Sequence, residues 1–341
     1  MNFTLDNLGN TCYFNTVIQC LFNVEDFVSI FNNDNSSPKD QFTPQGSIYT
    51  HIRDLIQHIK SNNRKNTQES LKGLLITLDT KFEGQMQIFS QNDMCEFLLT
   101  LFHVLTVEMR LSLSKEQILL FKKNHSKNKN KLNNICTNKW LDHFKNEYNN
   151  LNIRTSSMLI SQIKCGCSKF HNNYEFNNTL QLDITEQSTL KHSLDQYVKN
   201  VYFNEDNNED NENQIEWTCD FCHDKKPSKK VHTFWRLPQI LIIFLKRFVM
   251  DNNGNSVKLY NEVHFTDHLD MNQYLINTSM NSKYKLKSIG CHVGRLNFGH
   301  YYAVLKKDDE NWLKLDDEHC IELNALDRSV YKNAYMLVYV M

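Results

Sequence analysis

The sequence predicts an α+β fold, helices first and strands later, and three observations carry that expectation. Through roughly the first 150 residues, apolar side chains recur at helical spacing. Beyond them the pattern shortens to strand-sized runs separated by turn-like sequence. One such run, ILIIFL at 240–245, is apolar throughout and reads as a fully buried strand.

Each element has its own local reason. Gly9-Asn10 is turn-like, and Val17, Ile18, Leu21 and Phe22 follow at helical spacing. A helix therefore starts here, with Asn10 or Thr11 as its cap and Cys12 in its first turn. Ile48, Ile52, Leu55, Ile56 and Ile59 form a second stripe. Asn92-Asp93 are capping residues for a third helix running through Phe97, Leu98, Leu101, Phe102 and Leu105. The polar, basic run KKNHSKNKNKLNN at 122–134 reads as a solvated loop. From about 156 to 235, short strands carry two close cysteine pairs, and the acidic low-complexity stretch NEDNNEDNEN at 204–213 is expected to be a flexible tip. Further strands are expected at 284–291, 300–306, 311–315 and 334–341. No internal repeat is visible.

Composition narrows the functional classes. A chain of 341 residues has room for one large or two ordinary domains of roughly 150 residues, and 40% apolar content is ample for a core. A net charge of −1 removes the electrostatic case for a general nucleic-acid binder. No stretch approaches the about 18 apolar residues of a membrane span. The N-terminus MNFTLDNLGNTC has neither the basic nor the apolar region of a secretion signal. The 10 cysteines form no evenly spaced disulfide framework, and Cys165/Cys167 and Cys219/Cys222 read better as metal ligands. An intracellular, reducing compartment (cytoplasm or nucleus) is expected.

A cysteine protease needs a thiolate, a base that generates it, a group that holds the base, and donors for the tetrahedral oxyanion. In the first turn of a helix, free N–H groups and the macrodipole favour the Cys12 thiolate. By itself that placement is weak, because most cysteines near helix starts are inert, and Cys20 on the same helix reads as core. The wider stretch NLGNTCYFNTVIQCL at 7–21 resembles the Cys box of the ubiquitin-specific proteases. The resemblance implies that Cys12 is the nucleophile and Asn7 the oxyanion residue.

Three more stretches resemble boxes of that family, in its order. QNDMCEFL at 91–98 reads on its own as a helix start with acidic residues matching the dipole; the resemblance adds that Asp93, beside Gln91, faces the extended ubiquitin tail. Asn92 departs from the family's second Gln. LPQILIIFLKRF at 237–248 resembles a third box whose role is a core strand. CHVG at 291–294, GHYYA at 299–303 and WLKLDD at 312–317 resemble the His box. A His on a strand, followed by a Trp-anchored return strand and a carboxylate, has the hairpin layout a Cys-His-Asp triad requires. By resemblance His300 is the base, Asp316 holds it, and Asp317 is an assisting neighbour. The same resemblance makes 294–298 a mobile loop lining the tail channel, with Gln91, Asp93, His292, Gly299, Tyr301 and Asp317 as the tail-binding set.

CDFC at 219–222 is half of a tetrahedral thiolate site, whereas CGC at 165–167 is one residue tighter than the CxxC of the family. Two ligand sets stay open: Cys165, Cys167, Cys219 and Cys222, or a set in which His171 replaces one of the first pair. The metal expected is structural zinc, with no cofactor for catalysis, because these residues lie far in sequence from Cys12, His300 and Asp316.

The resemblance extends from Asn7 to Asp317 and implies a single papain-like catalytic domain over 1–341. Its parts would be a helical thumb at about 1–155, β fingers at about 156–235 and a β palm at about 236–341. The implied activity is hydrolysis of the peptide or isopeptide bond after the C-terminal glycine of ubiquitin. Ubiquitin and ubiquitinated proteins are the implied partners of a monomer that engages neither nucleic acid nor membrane. Because the chain begins almost at the Cys box and ends on a strand, no attached targeting domain is expected. Two rivals remain: a protease for a ubiquitin-like modifier, and a catalytically silent ubiquitin-binding scaffold. Intact Asn7, Cys12, His300 and Asp316 argue against the scaffold.

Overall fold

The computed structural model describes residues 3–32, 46–82, 84–125, 131–185, 189–204, 216–251, 253–276, 281–295 and 298–341. Its first part is helical: α1 (Cys12–Phe22), α2 (Glu25–Val28), α3 (Ile48–Lys60), α4 (Arg64–Lys81), α5 (Met94–Met109), α6 (Lys115–His125), α7 (Lys131–Phe144) and α8 (Asn150–Thr155). All residues of α1 are buried, polar Asn15, Thr16 and Gln19 included, as expected of a helix enclosed by its neighbours on every side. The side chains of Ser47 and Asp93 cap α3 and α5 by accepting from the free N–H groups of their first turns.

Two local expectations are corrected. Thr11 occupies the N-cap position of α1 but caps nothing with its side chain. Asn7 instead orders the turn ahead of the helix: its Oδ1 accepts from the backbone N–H groups of Gly9 and Thr11, both at 3.1 Å. The stretch 122–134 is not a single loop, because α6 runs to His125 and α7 begins at Lys131, with 126–130 outside the described residues. Packing overrides the polar sequence here: Cys136, Trp140 and Phe144 of α7 bury against Met158, Ile160 and Trp235.

The second part carries β1 (Ser157–Cys165), β2 (Phe170–Asn177), β3 (Leu180–Asp183), α9 (Leu190–Tyr197), β4 (Val201–Phe203) and β5 (Ser228–Arg236). It continues with β6 (Ile240–Lys246), β7 (Phe248–Met250), β8 (Ser256–Lys258), β9 (His268–Asp270), β10 (Lys283–Arg295), β11 (Phe298–Lys306), β12 (Trp312–Asp316), β13 (His319–Leu323), α10 (Arg328–Asn333) and β14 (Ala334–Val340). A four-stranded sheet has the order β2-β1-β5-β4, and a larger one runs β13-β12-β11-β10-β14-β6-β3 with β9 against the start of β10. Pairing in the larger sheet is antiparallel except for β3 beside β6. The β6 strand is buried from Ile240 to Leu245, as its unbroken apolar sequence requires. The expected acidic tip lies outside the described residues from 205 onward.

Helix α1 lies across β10 and β11, joined to them where Ser288 Oγ donates to the Cys20 carbonyl at 2.9 Å. Just after β6, Arg247 is fully buried, and among the described residues no carboxylate forms an ion pair with it. Its guanidinium instead donates to the carbonyls of Ala334, Leu259, Asn261 and Tyr331 at 2.5–3.1 Å. The fork geometry of arginine suits four diverging acceptors, so this one side chain ties β14, α10 and the segment after β8 together. No helix among the described residues is long and apolar enough to cross a membrane.

Candidate active site

The sheet and the helical layer meet at the N-terminus of α1. Cys12 opens that helix and is 6% exposed. His300 on β11 faces it, with Nε2 lying 2.6 Å from Oδ1 of Asp316 on β12. That contact leaves Nδ1 as the ring nitrogen for the thiol. A hydrogen bond with Cys12 raises His300 to about 9 against the opposing effect of burial, and the Asp316 carboxylate adds to the rise. Burial works against the Asp316 charge, yet hydrogen bonds from His300 and Lys314 hold its carboxyl below the usual range. Lys314 Nζ is 3.1 Å from the second carboxylate oxygen.

Asp317 turns the chain the other way, with φ of 50°. Its Oδ1 accepts from Asn15 Nδ2 at 2.8 Å and its Oδ2 from Asn7 Nδ2 at 2.9 Å. Its carbonyl accepts from Leu5 N at 3.3 Å and Gln19 Nε2 at 3.4 Å. Both carboxylate oxygens of Asp317 are thus engaged within the chain, joining the segment that carries Cys12 to the strand that carries Asp316.

Cys12, Tyr13, Gln91, Asn92, Asp93, Phe248, His292, Gly299 and Tyr301 line one cleft of about 360 Å³. The structure therefore brings Gln91, Asp93, His292, Gly299 and Tyr301 together beside Cys12, while Asn7, His300, Asp316 and Asp317 are not among the residues lining the cleft. Glycine is required at 299, where a Cβ would sit 1.9 Å from His292 Nε2. His292 is enclosed by Phe248 and Tyr301, at ring separations of 5.2 and 4.6 Å. Burial first, then the charges of Lys258 and His300, push it down to about 3, so the imidazole is neutral at physiological pH. Asn92, the departure from the family pattern, donates to Tyr13 Oη at 3.0 Å and to the Gln87 and Ser90 carbonyls at 2.8 and 3.0 Å, which fixes the loop ahead of α5.

Three residues around the cleft carried no site signal. Phe248 ends the 237–248 stretch, read only as a core strand, and Tyr335 sits in the apolar run of β14. Lys258, at the end of β8, is a lone lysine in a polar segment.

The cysteine pairs also converge. Cys165 and Cys222 sulfurs are 4.0 Å apart, Cys167 and Cys219 3.8 Å, and all four lie within 4.8 Å of one another. A tetrahedral metal with thiolate bonds of about 2.3 Å needs sulfur–sulfur edges of about 3.8 Å, so this set can hold one. Left-handed backbone at Ser168 (φ 66°) and His223 (φ 54°) folds each short turn around its pair. His171 stays outside the four, its Nε2 3.3 Å from Cys219 Sγ and its Nδ1 3.3 Å from Asp220.

A helix-borne thiol facing a sheet-borne imidazole, within this order of helices and strands, is the arrangement of the papain-like α+β cysteine hydrolases. The sequence profile of the ubiquitin carboxyl-terminal hydrolases matches residues 3–339, and the chain belongs to that family. Ubiquitin carboxyl-terminal hydrolase 4 of Candida glabrata is 24% identical over 98% of this chain and 40% of its own length. Ubiquitin carboxyl-terminal hydrolase 23 of Arabidopsis thaliana is 25% identical over 98% of this chain and 35% of its own length. This chain thus spans about 40% of the length of such curated relatives. Among solved structures, the Ubp8/Sgf11/Sus1/Sgf73 SAGA DUB module bound to monoubiquitin contains a chain matched with TM-score 0.74 at 20% identity, over 99% of this chain and 68% of that one. The same module bound to ubiquitin aldehyde gives TM-score 0.73 at 22% identity, over 99% and 69%. At these identities the structures establish the shared fold.

Proposed function

We propose that this chain is a thiol protease that hydrolyses the peptide or isopeptide bond after the C-terminal glycine of ubiquitin. One constellation carries the reading: Cys12 opens α1 on a cleft lined by Gln91, Asp93, His292, Gly299 and Tyr301, and His300, whose basicity Cys12 raises, lies 2.6 Å from Asp316. The thiolate of Cys12 attacks the glycine carbonyl. Asn7 Nδ2 is the side-chain donor for the oxyanion, held ready by Asp317. As the tetrahedral intermediate collapses, imidazolium His300 gives its proton to the departing amine, and the acyl group remains on Cys12 as a thioester. Water, deprotonated by His300, then hydrolyses the thioester and restores the thiol. Asp316 fixes the tautomer and orientation of the imidazole throughout. Gln91, Asp93 and Tyr301 bind the extended tail along the cleft.

Zinc is the metal proposed for Cys165, Cys167, Cys219 and Cys222, where it would fasten the turn after β1 to the 219–222 turn and supply folding energy rather than chemistry.

The test is labelling with a ubiquitin derivative that carries an electrophile at its C-terminus, beside matching probes built on ubiquitin-like modifiers. Capture of the ubiquitin probe by the native chain, lost in Cys12→Ala, supports the reading. Capture of another modifier in preference would move the substrate, and no capture by a folded protein would sink the assignment.

A further inference from the structure

A buried cation stands behind the cleft with no anion beside it. Lys258 is 8% exposed, and among the described residues no carboxylate pairs with it. Burying an ammonium without a counter-charge is expensive, so a residue that merely filled space here would be apolar. Its Nζ donates to the carbonyls of His292 at 2.7 Å and Gly294 at 3.2 Å, and Tyr260 Oη donates to the Gly294 carbonyl at 3.3 Å.

The sheet explains why those two carbonyls need a donor. The pairing of β10 with β14 ends at Cys291, opposite Ala334, whereas β10 continues alongside β11 as far as Arg295. Past Cys291 one edge of β10 has lost its strand, and Lys258 supplies donors in its place. The same short stretch shapes the cleft. His292 fills its wall, and Gly294, at φ +90°, pairs with Gly299, with Phe298 O only 2.4 Å from where a Cβ on Gly294 would lie. On the other side, Lys258 is the cross-strand partner of Phe248, which lines the cleft as well.

We propose that Lys258 is a positioning residue of the tail cleft, clamping the β7–β8 hairpin to the free edge of β10 so that His292, Gly294 and Gly299 keep their places along the cleft. The proposal rests on the ubiquitin-tail reading of the cleft. Lys258 acts through backbone and touches no reacting atom, so its loss weakens binding of the tail and leaves the chemistry on Cys12 intact.

The groups facing the ammonium are Arg247 at the end of β6, Cys291 and His292 on β10, Tyr260 after β8 and Lys332 on α10. Burial first, then repulsion from Arg247, lower Lys258 to about 8, with Lys332 adding to the fall and Cys291 opposing it. Above that pH the clamp is a neutral amine, whose hydrogen bonds are roughly half as strong as charged ones.

Steady-state hydrolysis of a fluorogenic ubiquitin C-terminal amide tests this, with active enzyme counted by titration against the electrophilic ubiquitin probe. Lys258→Met, of similar length and without donors, is expected to raise KM about tenfold while kcat stays within about twofold, and Lys258→Arg to recover most of the loss. In the native chain KM is expected to rise about fivefold as pH passes through 8, and in Lys258→Arg to stay flat. An unchanged KM in Lys258→Met, or a loss confined to kcat, overturns the proposal. Should Lys258→Met fail to fold, a native KM that is flat from pH 7 to 9 overturns it equally. Absence of turnover by the native chain would instead sink the underlying assignment, so the two failures are distinct.

Discussion

Tyr335 on β14 donates its hydroxyl to Asp93 Oδ2 at 2.6 Å, across the seam between the sheet and the start of α5. Oδ1 of the same carboxylate accepts from the backbone N–H groups of Cys95 and Glu96 at 2.8 and 3.0 Å. One side chain therefore caps a helix, holds a strand and faces the cleft. Tyr335 is itself enclosed by Phe244, Phe248 and Tyr301, and burial pushes its phenol far above the ordinary value, so it remains a donor.

Removing that hydroxyl should loosen Asp93 without disturbing the triad. In Tyr335→Phe the helix cap stays and one acceptor loses its partner, a change of about 1 kcal/mol. We expect KM for a ubiquitin amide to rise about fivefold with kcat nearly constant. Equal losses in kcat and kcat/KM would show that Asp93 acts on the chemistry instead of the tail.

The contrast between Asp93 and Tyr335 shows what sequence could carry. Asp93 announced itself as a capping residue at the start of an apolar stripe, and the hairpin of His300 and Asp316 could be read from a strand, a tryptophan and a carboxylate in order. Local chemistry and spacing supplied the cap and the hairpin layout, while the roles of His300 and Asp316 came from the family resemblance. Tyr335, Phe248 and Lys258 act through contacts made by the fold, with Tyr335 and Asp93 242 residues apart, and their neighbouring sequence marks none of them as a cleft residue, Phe248 being read only as the end of a core strand. The 122–134 stretch failed for the same reason: its polar composition argued for a loop, but the indole of Trp140 and its neighbours needed a helix beneath β1 and β5. Asp317 was legible as an assisting neighbour of Asp316, but its hydrogen-bond partners Asn7 and Asn15 were not, because they lie over 300 residues away in the chain.

Asp317 orients Asn7, and Asn7 in turn gathers the backbone that leads into Cys12. In Asp317→Ala the Nδ2 group of Asn7 loses its acceptor, and only the contacts of its Oδ1 with Gly9 and Thr11 still hold the amide. Deleting such a donor outright costs about 10²–10³ in kcat. Because Asn7 remains present, we expect a smaller loss in Asp317→Ala, about 10- to 100-fold in kcat, with KM little changed. Asp317→Ala combined with Asn7→Ala should lose no more than Asn7→Ala alone, since both changes bear on one interaction. Fully additive losses in the double variant would separate the two residues.

The raised His300 sets a pH limit with a definite sign. Its folded value of about 9 lies above the ordinary 6.5, so the pairing with Cys12 and Asp316 is fully present below pH 6.5 and is lost as pH rises through about 9. The alkaline limb of kcat/KM should therefore fall near pH 9. Asp316→Asn removes one of the contacts that raise His300, so that limb should move to lower pH while the rate drops on the order of 10²–10⁴-fold. An alkaline limb unmoved by Asp316→Asn would detach Asp316 from the imidazole. The KM rise expected from Lys258 near pH 8 also lowers kcat/KM, by about fivefold, but it is absent from Lys258→Arg, in which the limb near pH 9 is read alone.

The metal ligands can be told apart by substitution. Purified protein should carry close to one zinc per chain, and a strong chelator should lower its thermal midpoint if the metal contributes folding energy. Cys167→Ser breaks the tighter CGC pair and should release the metal. His171→Ala should keep it, because four sulfurs within 4.8 Å of one another already complete a tetrahedron and the imidazole only hydrogen-bonds Cys219 from outside. Retention in Cys167→Ser with loss in His171→Ala would reverse that assignment and place the histidine in the ligand set. A metal ratio near zero in the native protein would remove zinc altogether and leave four thiols held by the fold alone.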